Sequence, residues 1–63
     1  MKIYIMIIEP KAMLAGDISP RRTTYNSPHQ GAAPEGWECV GVAGYFETSR
    51  EGYAALRKQG RVH

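Results

Sequence analysis

The feature that most restricts the fold is the segment 2–9, which predicts a β-strand with two hydrophobic faces. Both faces carry large apolar side chains: Ile3, Ile5 and Ile7 on one, and Tyr4, Met6 and Ile8 on the other. Such a strand lies at the centre of a sheet or is covered on both sides. Because the chain has only 63 residues, it has little material for two layers. We therefore expect a second protein chain, most simply in a homodimer, to cover one face.

A second strand is predicted over residues 37–47. Strict alternation places its residues in two sets: Trp37, Cys39, Gly41, Ala43 and Tyr45 on one face, and Val40, Val42, Gly44 and Phe46 on the other. Gly41 and Gly44 interrupt this strand. A glycine inside a strand marks a bulge or a close approach of another backbone.

The main helix is predicted over residues 48–59. Thr48 and Glu51 have the spacing of a capping box, which satisfies two unpaired N–H groups at a helix start. Tyr53 and Leu56 would form the buried stripe. Gly60 is suited to end the helix, because glycine readily takes the left-handed conformation found there.

The connection between the two strands is harder to assign. Residues 9–16 suggest a short helical turn that begins at Pro10, where a missing N–H is harmless. Residues 17–36 are rich in proline and polar residues, which is typical of a long functional loop. The β-propensity of residues 22–25 predicts a short edge strand within it.

These elements predict one small α+β domain spanning residues 1–63, with a long loop at 17–36. Its sheet would contain two or three antiparallel strands, with one C-terminal helix packed on a face. A parallel pairing of the two main strands stays open, because the connection is long enough for a crossover.

Catalytic and metal-binding chemistry find little support in the chain. Cys39 is the only cysteine, and no spacing fixes it with His29 or His63 as metal ligands. A domain of this size rarely encloses a substrate pocket. We therefore expect no enzyme activity, no metal and no cofactor. No apolar run is long enough to cross a bilayer, so we expect no membrane partner. A single cysteine agrees with a reducing, cytoplasmic setting.

The charge distribution suggests one function class. The formal charge is +2, and the excess of basic residues lies in the last sixteen positions. A nucleic-acid-binding protein could use the basic ridge formed by Arg50, Arg57, Lys58 and Arg61. Tyr25 could then stack on a base, beside phosphate contacts from Arg21 and Arg22. No known nucleic-acid-binding motif accompanies these residues.

A non-enzymatic protein-binding module is the function that we favour. The long loop is rich in residue types that anchor protein interfaces. The predicted partner-binding residues are Arg21, Arg22, Tyr25, His29 and Trp37.

No motif identifies the chain as a member of a known family, but the chain is similar in kind to one group of small proteins. Its short length, single domain and lack of motifs resemble the small inhibitors that phages encode against bacterial defence systems, anti-CRISPR proteins among them. This resemblance implies a cytoplasmic protein that occupies a surface of a larger complex and needs no cofactor.

Overall fold

A computed structural model describes residues 1–11 and 22–63 of the chain. They form strand β1 (Lys2–Pro10), strand β2 (Thr23–Ser27), strand β3 (Trp37–Glu47) and helix α1 (Arg50–Lys58). The strands make one antiparallel sheet in the order β2-β1-β3. The predicted α+β fold, with a three-stranded antiparallel sheet and a C-terminal helix, is therefore confirmed.

Strand β1 is the centre of the sheet, as its two apolar faces predicted. Ile3, Met6 and Ile8 are buried, with 0 to 3 % of their surface exposed. They come from both predicted faces, so the chain itself covers part of each face. The strand also runs one residue further than expected, because Pro10 lies opposite Trp37 of β3. Pro10 is thus the end of a strand and not the start of a helical turn.

The connection from β2 to β3 covers one of these faces. Both strands are antiparallel to β1 and lie on opposite sides of it. Ser27 at the end of β2 is opposite Tyr4, whereas Trp37 at the start of β3 is opposite Pro10. Residues 28–36 therefore have to run along β1 across a face of the sheet. The half-buried side chains of Ala32, Ala33 and Pro34 agree with this path.

Two irregularities in β3 lie beside its glycines, as predicted. The register shifts between Ile5 and Met6 and again between Ile7 and Ile8, which leaves Ala43 and Val40 as extra residues of β3. Each extra residue reverses the alternation that follows it. The predicted division of β3 into two alternating faces is therefore wrong.

The corrected faces follow from the residues that oppose each other across β1 and β3, since directly opposite residues share a face. One face of β3 carries Trp37, Cys39, Val42 and Tyr45, opposite Pro10, Ile8, Met6 and Tyr4 respectively. The other carries Glu38, Gly41, Gly44 and Phe46.

Helix α1 starts two residues later than predicted, and its cap is Ser49. The Ser49 hydroxyl accepts a hydrogen bond of 3.0 Å from the Gly52 N–H. Thr48 was predicted as the cap, but its backbone N–H and C=O both bind Met1. Thr48 thus prolongs the ladder between β1 and β3, and the capping function passes to the next residue.

The end of the helix follows the prediction. Gly60 has a φ of +76°, which glycine adopts without steric cost. The N–H groups of Gly60 and Arg61 bind the carbonyls of Arg57 and Leu56 at 3.0 and 2.9 Å. This pair of bonds is the Schellman motif, and it turns the chain away from the helix.

The residues after the helix return to the sheet. The His63 N–H donates to the Asn26 carbonyl of β2 at 2.8 Å, and Val62 is only 2 % exposed. Tyr53 and Leu56, predicted as the buried stripe of α1, are half-buried, and no residue of α1 is fully buried. The C-terminal segment thus supplies the core residue that the helix was expected to supply.

The remaining sequence predictions concern the middle of the chain. The predicted edge strand 22–25 exists, but it spans Thr23–Ser27 and lies within the predicted loop 17–36. Residues 12–21 lie outside the described part of the chain. Beyond Lys11, the predicted turn at 9–16 therefore lies outside the described residues.

The helix cap leads to a testable prediction. Ser49→Ala should lower the free energy of unfolding by about 1 kcal/mol, because the Gly52 N–H loses its acceptor. Thr48→Ala is the matched control and should lower it less, since the backbone bonds of Thr48 survive the change. Urea denaturation of both variants measures the difference. A larger loss for Thr48→Ala would contradict the assignment of the cap.

The core leads to a second prediction. Val62→Ala should lower the free energy of unfolding by about 2 kcal/mol, from lost burial and the cavity that remains. Leu56→Ala should cost less, because Leu56 is half-buried. Thermal and urea unfolding of the two variants would test this order. If Leu56→Ala is the more destabilising change, helix α1 contributes more to the core than its exposure indicates.

Candidate interaction surface

The most exposed aromatic cluster among the described residues lies at the end of the sheet where β1 begins and β3 ends. Tyr45 is 56 % exposed and stands directly opposite Tyr4. The two ring centroids are 6.3 Å apart and the rings are tilted by 50°, an arrangement that aromatic pairs favour. The Lys2 ammonium lies 4.9 Å from the Tyr45 ring centroid, within the range of a cation–π contact.

Val42 extends this cluster along the same face. It is 43 % exposed and stands opposite Met6, two positions along β1 from Tyr4. Val42 and Tyr45 are three residues apart, so strict alternation would separate them. The extra residue Ala43 restores them to one face. We call Lys2, Tyr4, Val42 and Tyr45 together the β3 patch.

The outer edge of β3 is a second feature of this side of the molecule. Within residues 1–11 and 22–63, β3 pairs only with β1, so its other row of backbone groups is open. Residues 39–46 of the strand contain no charged side chain and no proline. Val40, an extra residue at the second irregularity, is 42 % exposed. Three of the four large hydrophobic side chains that are exposed in the described residues thus belong to β3.

The described members of the predicted partner-binding set do not lie together on one surface. Arg22 is exposed and pairs with Glu9 at 3.6 Å, near the end of β1 where Trp37 is half-buried opposite Pro10. His29 follows the end of β2 at Ser27, whose hydroxyl accepts its N–H at 3.1 Å. Because β1 rises by about 3.3 Å per residue, these two ends of the sheet are about 20 Å apart. Arg21 lies outside the described residues.

Tyr25 has a contact that the sequence did not predict. Its ring stacks on the His63 imidazole, with centroids 4.4 Å apart and planes 4° from parallel. The Asn26 side-chain amide also donates to the Arg61 carbonyl at 3.4 Å, and the Tyr53 hydroxyl donates to the His63 carbonyl at 3.4 Å. Tyr25 therefore helps to hold the C-terminal residues against β2, whether or not it contacts a partner.

The predicted basic ridge is exposed. Arg50, Arg57, Lys58 and Arg61 all have exposed side chains. Arg50 and Arg57 are seven residues apart, so they lie on the same face of α1. Their availability to an anionic partner is consistent with the alternative function.

The described residues bring no group of metal-ligating side chains together. Within residues 1–11 and 22–63, no three His, Cys, Asp or Glu side chains come together as metal ligands do. Cys39 is half-buried and its thiol donates to the Gly41 carbonyl at 3.3 Å. The described residues also include no helix with the length and hydrophobicity that crossing a bilayer requires.

Sequence reasoning missed the β3 patch for an identifiable reason. The extra residue Ala43 brings Val42 and Tyr45 to one face, whereas alternation alone assigned them to opposite faces. The uncharged run at residues 39–46 was a usable signal, because exposed edge strands usually carry charges that prevent pairing.

Comparison with known proteins adds no relative from which function could be transferred. No protein-family model matches the chain, and no curated protein or solved structure matches it either.

Proposed function

We propose that this chain is a non-enzymatic protein-binding module and that the β3 patch is its contact surface. The observation that carries this proposal is the grouping of exposed Tyr45 and Val42 with Tyr4 and Lys2 on one face. Single exposed apolar residues are normal on protein surfaces. A cluster of them on a rigid two-stranded platform is less common and favours binding.

The chemistry of the patch fits a protein partner. Tyrosine is enriched at protein interfaces, because its ring gives a large contact area and its hydroxyl tolerates water. Lys2 lies over the Tyr45 ring and leaves a positive charge at the rim. A partner surface with an apolar centre and an acidic or carbonyl-rich border would be complementary to it.

A finer form of the proposal concerns the kind of partner. By its resemblance in kind to small phage inhibitors, the chain would block a surface of a larger cytoplasmic complex, such as a bacterial defence complex. Occupying a surface needs no cofactor and no catalytic group. The patch supports the binding step of this proposal, and the identity of the complex is a matter for experiment.

Nucleic-acid binding is the second candidate, and the exposed basic ridge favours it. The two candidates use different elements, because the β3 patch lies on the sheet and the ridge belongs to α1 and the residues after it. A variant at one site should therefore leave the other intact.

Site-specific photo-crosslinking separates these candidates. A benzophenone amino acid would replace Tyr45 in one variant and Arg57 in the other, in cells that naturally make the protein. We expect ultraviolet light to link the position 45 probe to a defined protein, which mass spectrometry identifies. Adducts with nucleic acid at position 57, and none with protein at position 45, would support the alternative.

Once the partner is identified, its affinity gives a quantitative prediction. Tyr45→Ala should weaken binding by about 1–3 kcal/mol, the loss typical of an aromatic interface anchor. Arg57→Ala is the matched exposed control and should change binding little. Calorimetry or surface plasmon resonance measures both. Equal affinity of Tyr45→Ala and the parent would exclude the β3 patch as the contact surface.

A further inference from the structure

The two tyrosines of the β3 patch form one of the closest kinds of pair in the sheet. The Thr48 N–H donates to the Met1 carbonyl, and the Met1 amine donates to the Thr48 carbonyl. These two residues are therefore a hydrogen-bonded pair of the ladder. Such pairs alternate with non-hydrogen-bonded pairs, whose side chains lie closer together. Tyr4 and Tyr45 are opposed three positions further along the ladder, so they are a pair of the closer kind.

The two rings are also near enough to react with each other. Their centroids are 6.3 Å apart, within the range of about 4.5–7 Å for aromatic rings in contact. Tyr45 is 56 % exposed, and exposed side chains change rotamer within about picoseconds to nanoseconds. The edges of the two rings can therefore meet without any rearrangement of the backbone.

We propose that Tyr4 and Tyr45 are an oxidative modification site, at which a one-electron oxidant joins the two rings by a dityrosine bond. Each phenol gives up one electron and its hydroxyl proton, which leaves a neutral phenoxyl radical. The two radicals couple through the ring carbons beside the hydroxyls, and proton shifts then restore both aromatic rings. With hydrogen peroxide as the final acceptor of the two electrons and two protons, the other product is two molecules of water.

The charge nearest to the pair does not oppose this step. The Lys2 ammonium lies 4.9 Å from the Tyr45 ring centroid, where it would destabilise a radical cation. The phenoxyl radical carries no net charge, because the proton leaves with the electron. Lys2 therefore leaves the neutral route open.

The other two tyrosines of the chain, Tyr25 and Tyr53, are placed differently. The Tyr25 ring stacks on the His63 imidazole, with centroids 4.4 Å apart, and β1 separates β2 from β3. The Tyr53 hydroxyl donates to the His63 carbonyl at 3.4 Å. The fold therefore favours a bond between Tyr4 and Tyr45 over the other combinations.

This inference goes beyond the proposed function, since the reaction needs no protein partner. The bond would join the central strand β1 to β3, and thiol reductants do not cleave a carbon–carbon bond. Because both rings belong to the β3 patch, oxidation would also change the proposed contact surface. The test below uses the protein alone, so the modification site and the proposed partner can fail independently.

A haem peroxidase with limiting hydrogen peroxide tests the site in protein at micromolar concentration. Trypsin and glutamyl endopeptidase together then place each tyrosine in its own fragment, namely residues 3–11, 23–35, 39–47 and 52–57. Mass spectrometry should find fragment 3–11 joined to fragment 39–47, with the mass lowered by two hydrogen atoms. Before digestion, the product should keep the 7.0 kDa mass of a single chain.

Three variants and one solvent condition serve as controls. Tyr4→Phe and Tyr45→Phe should each abolish the bond, because phenylalanine has no phenol to oxidise. Tyr53→Phe is the matched control and should react like the parent. Circular dichroism checks that each variant is folded. In urea the yield of the bond in the parent should fall severalfold, because the unfolded chain no longer holds the two rings together.

Three results would overturn the proposal. The first is a parent that stays unlinked in a mixture that couples free tyrosine. The second is a bond that joins two chains, or that involves Tyr25 or Tyr53, in preference to the predicted pair. The third is an equal yield in urea and in buffer, which would show that the fold does not bring the two rings together.

Discussion

The pairing of β1 with one strand on each side is the interaction on which the rest of this structure depends. It brings Ile3, Met6 and Ile8 into a core in which each is almost completely buried. A chain this short has few other residues with which to offset the conformational entropy lost on folding. The other elements are arranged around this strand: the connection 28–36 crosses one face, and Val62 enters the core after the helix.

The same arrangement leaves the two sides of the sheet unequal. On the β2 side, the chain uses its own last residues to cover the edge, through Asn26 and the stack of Tyr25 on His63. On the β3 side, the described residues cover neither the edge nor the apolar groups of Val42 and Tyr45. Burial of the core and exposure of the proposed contact surface are therefore two results of one topology. This asymmetry is why we look for interaction partners on β3 and not on the proline-rich loop.

Local signals in the sequence predicted the elements well. The apolar run gave the central strand, Gly41 and Gly44 marked the irregularities of β3, and Gly60 ended the helix. The predictions of the helix cap and of the core residue were wrong, because contacts between distant parts of the chain decide both. Thr48 was predicted to cap α1 but pairs with Met1, 47 residues away. Val62 is buried because the chain returns to β2 after the helix. The faces of β3 could not be derived by alternation, because one extra residue reverses everything beyond it.

Amide hydrogen exchange followed by NMR would test the central claim most directly, because it reports the pairing of each strand residue by residue. In dilute protein, the account predicts that the amides of β1 exchange slowest, since β1 is paired on both sides. Along β3, amides that point towards β1 should be protected and those that point outward should exchange fast. Outward β3 amides that are protected at every concentration, in a protein of monomer mass, would show that the chain covers this edge itself and would contradict the account.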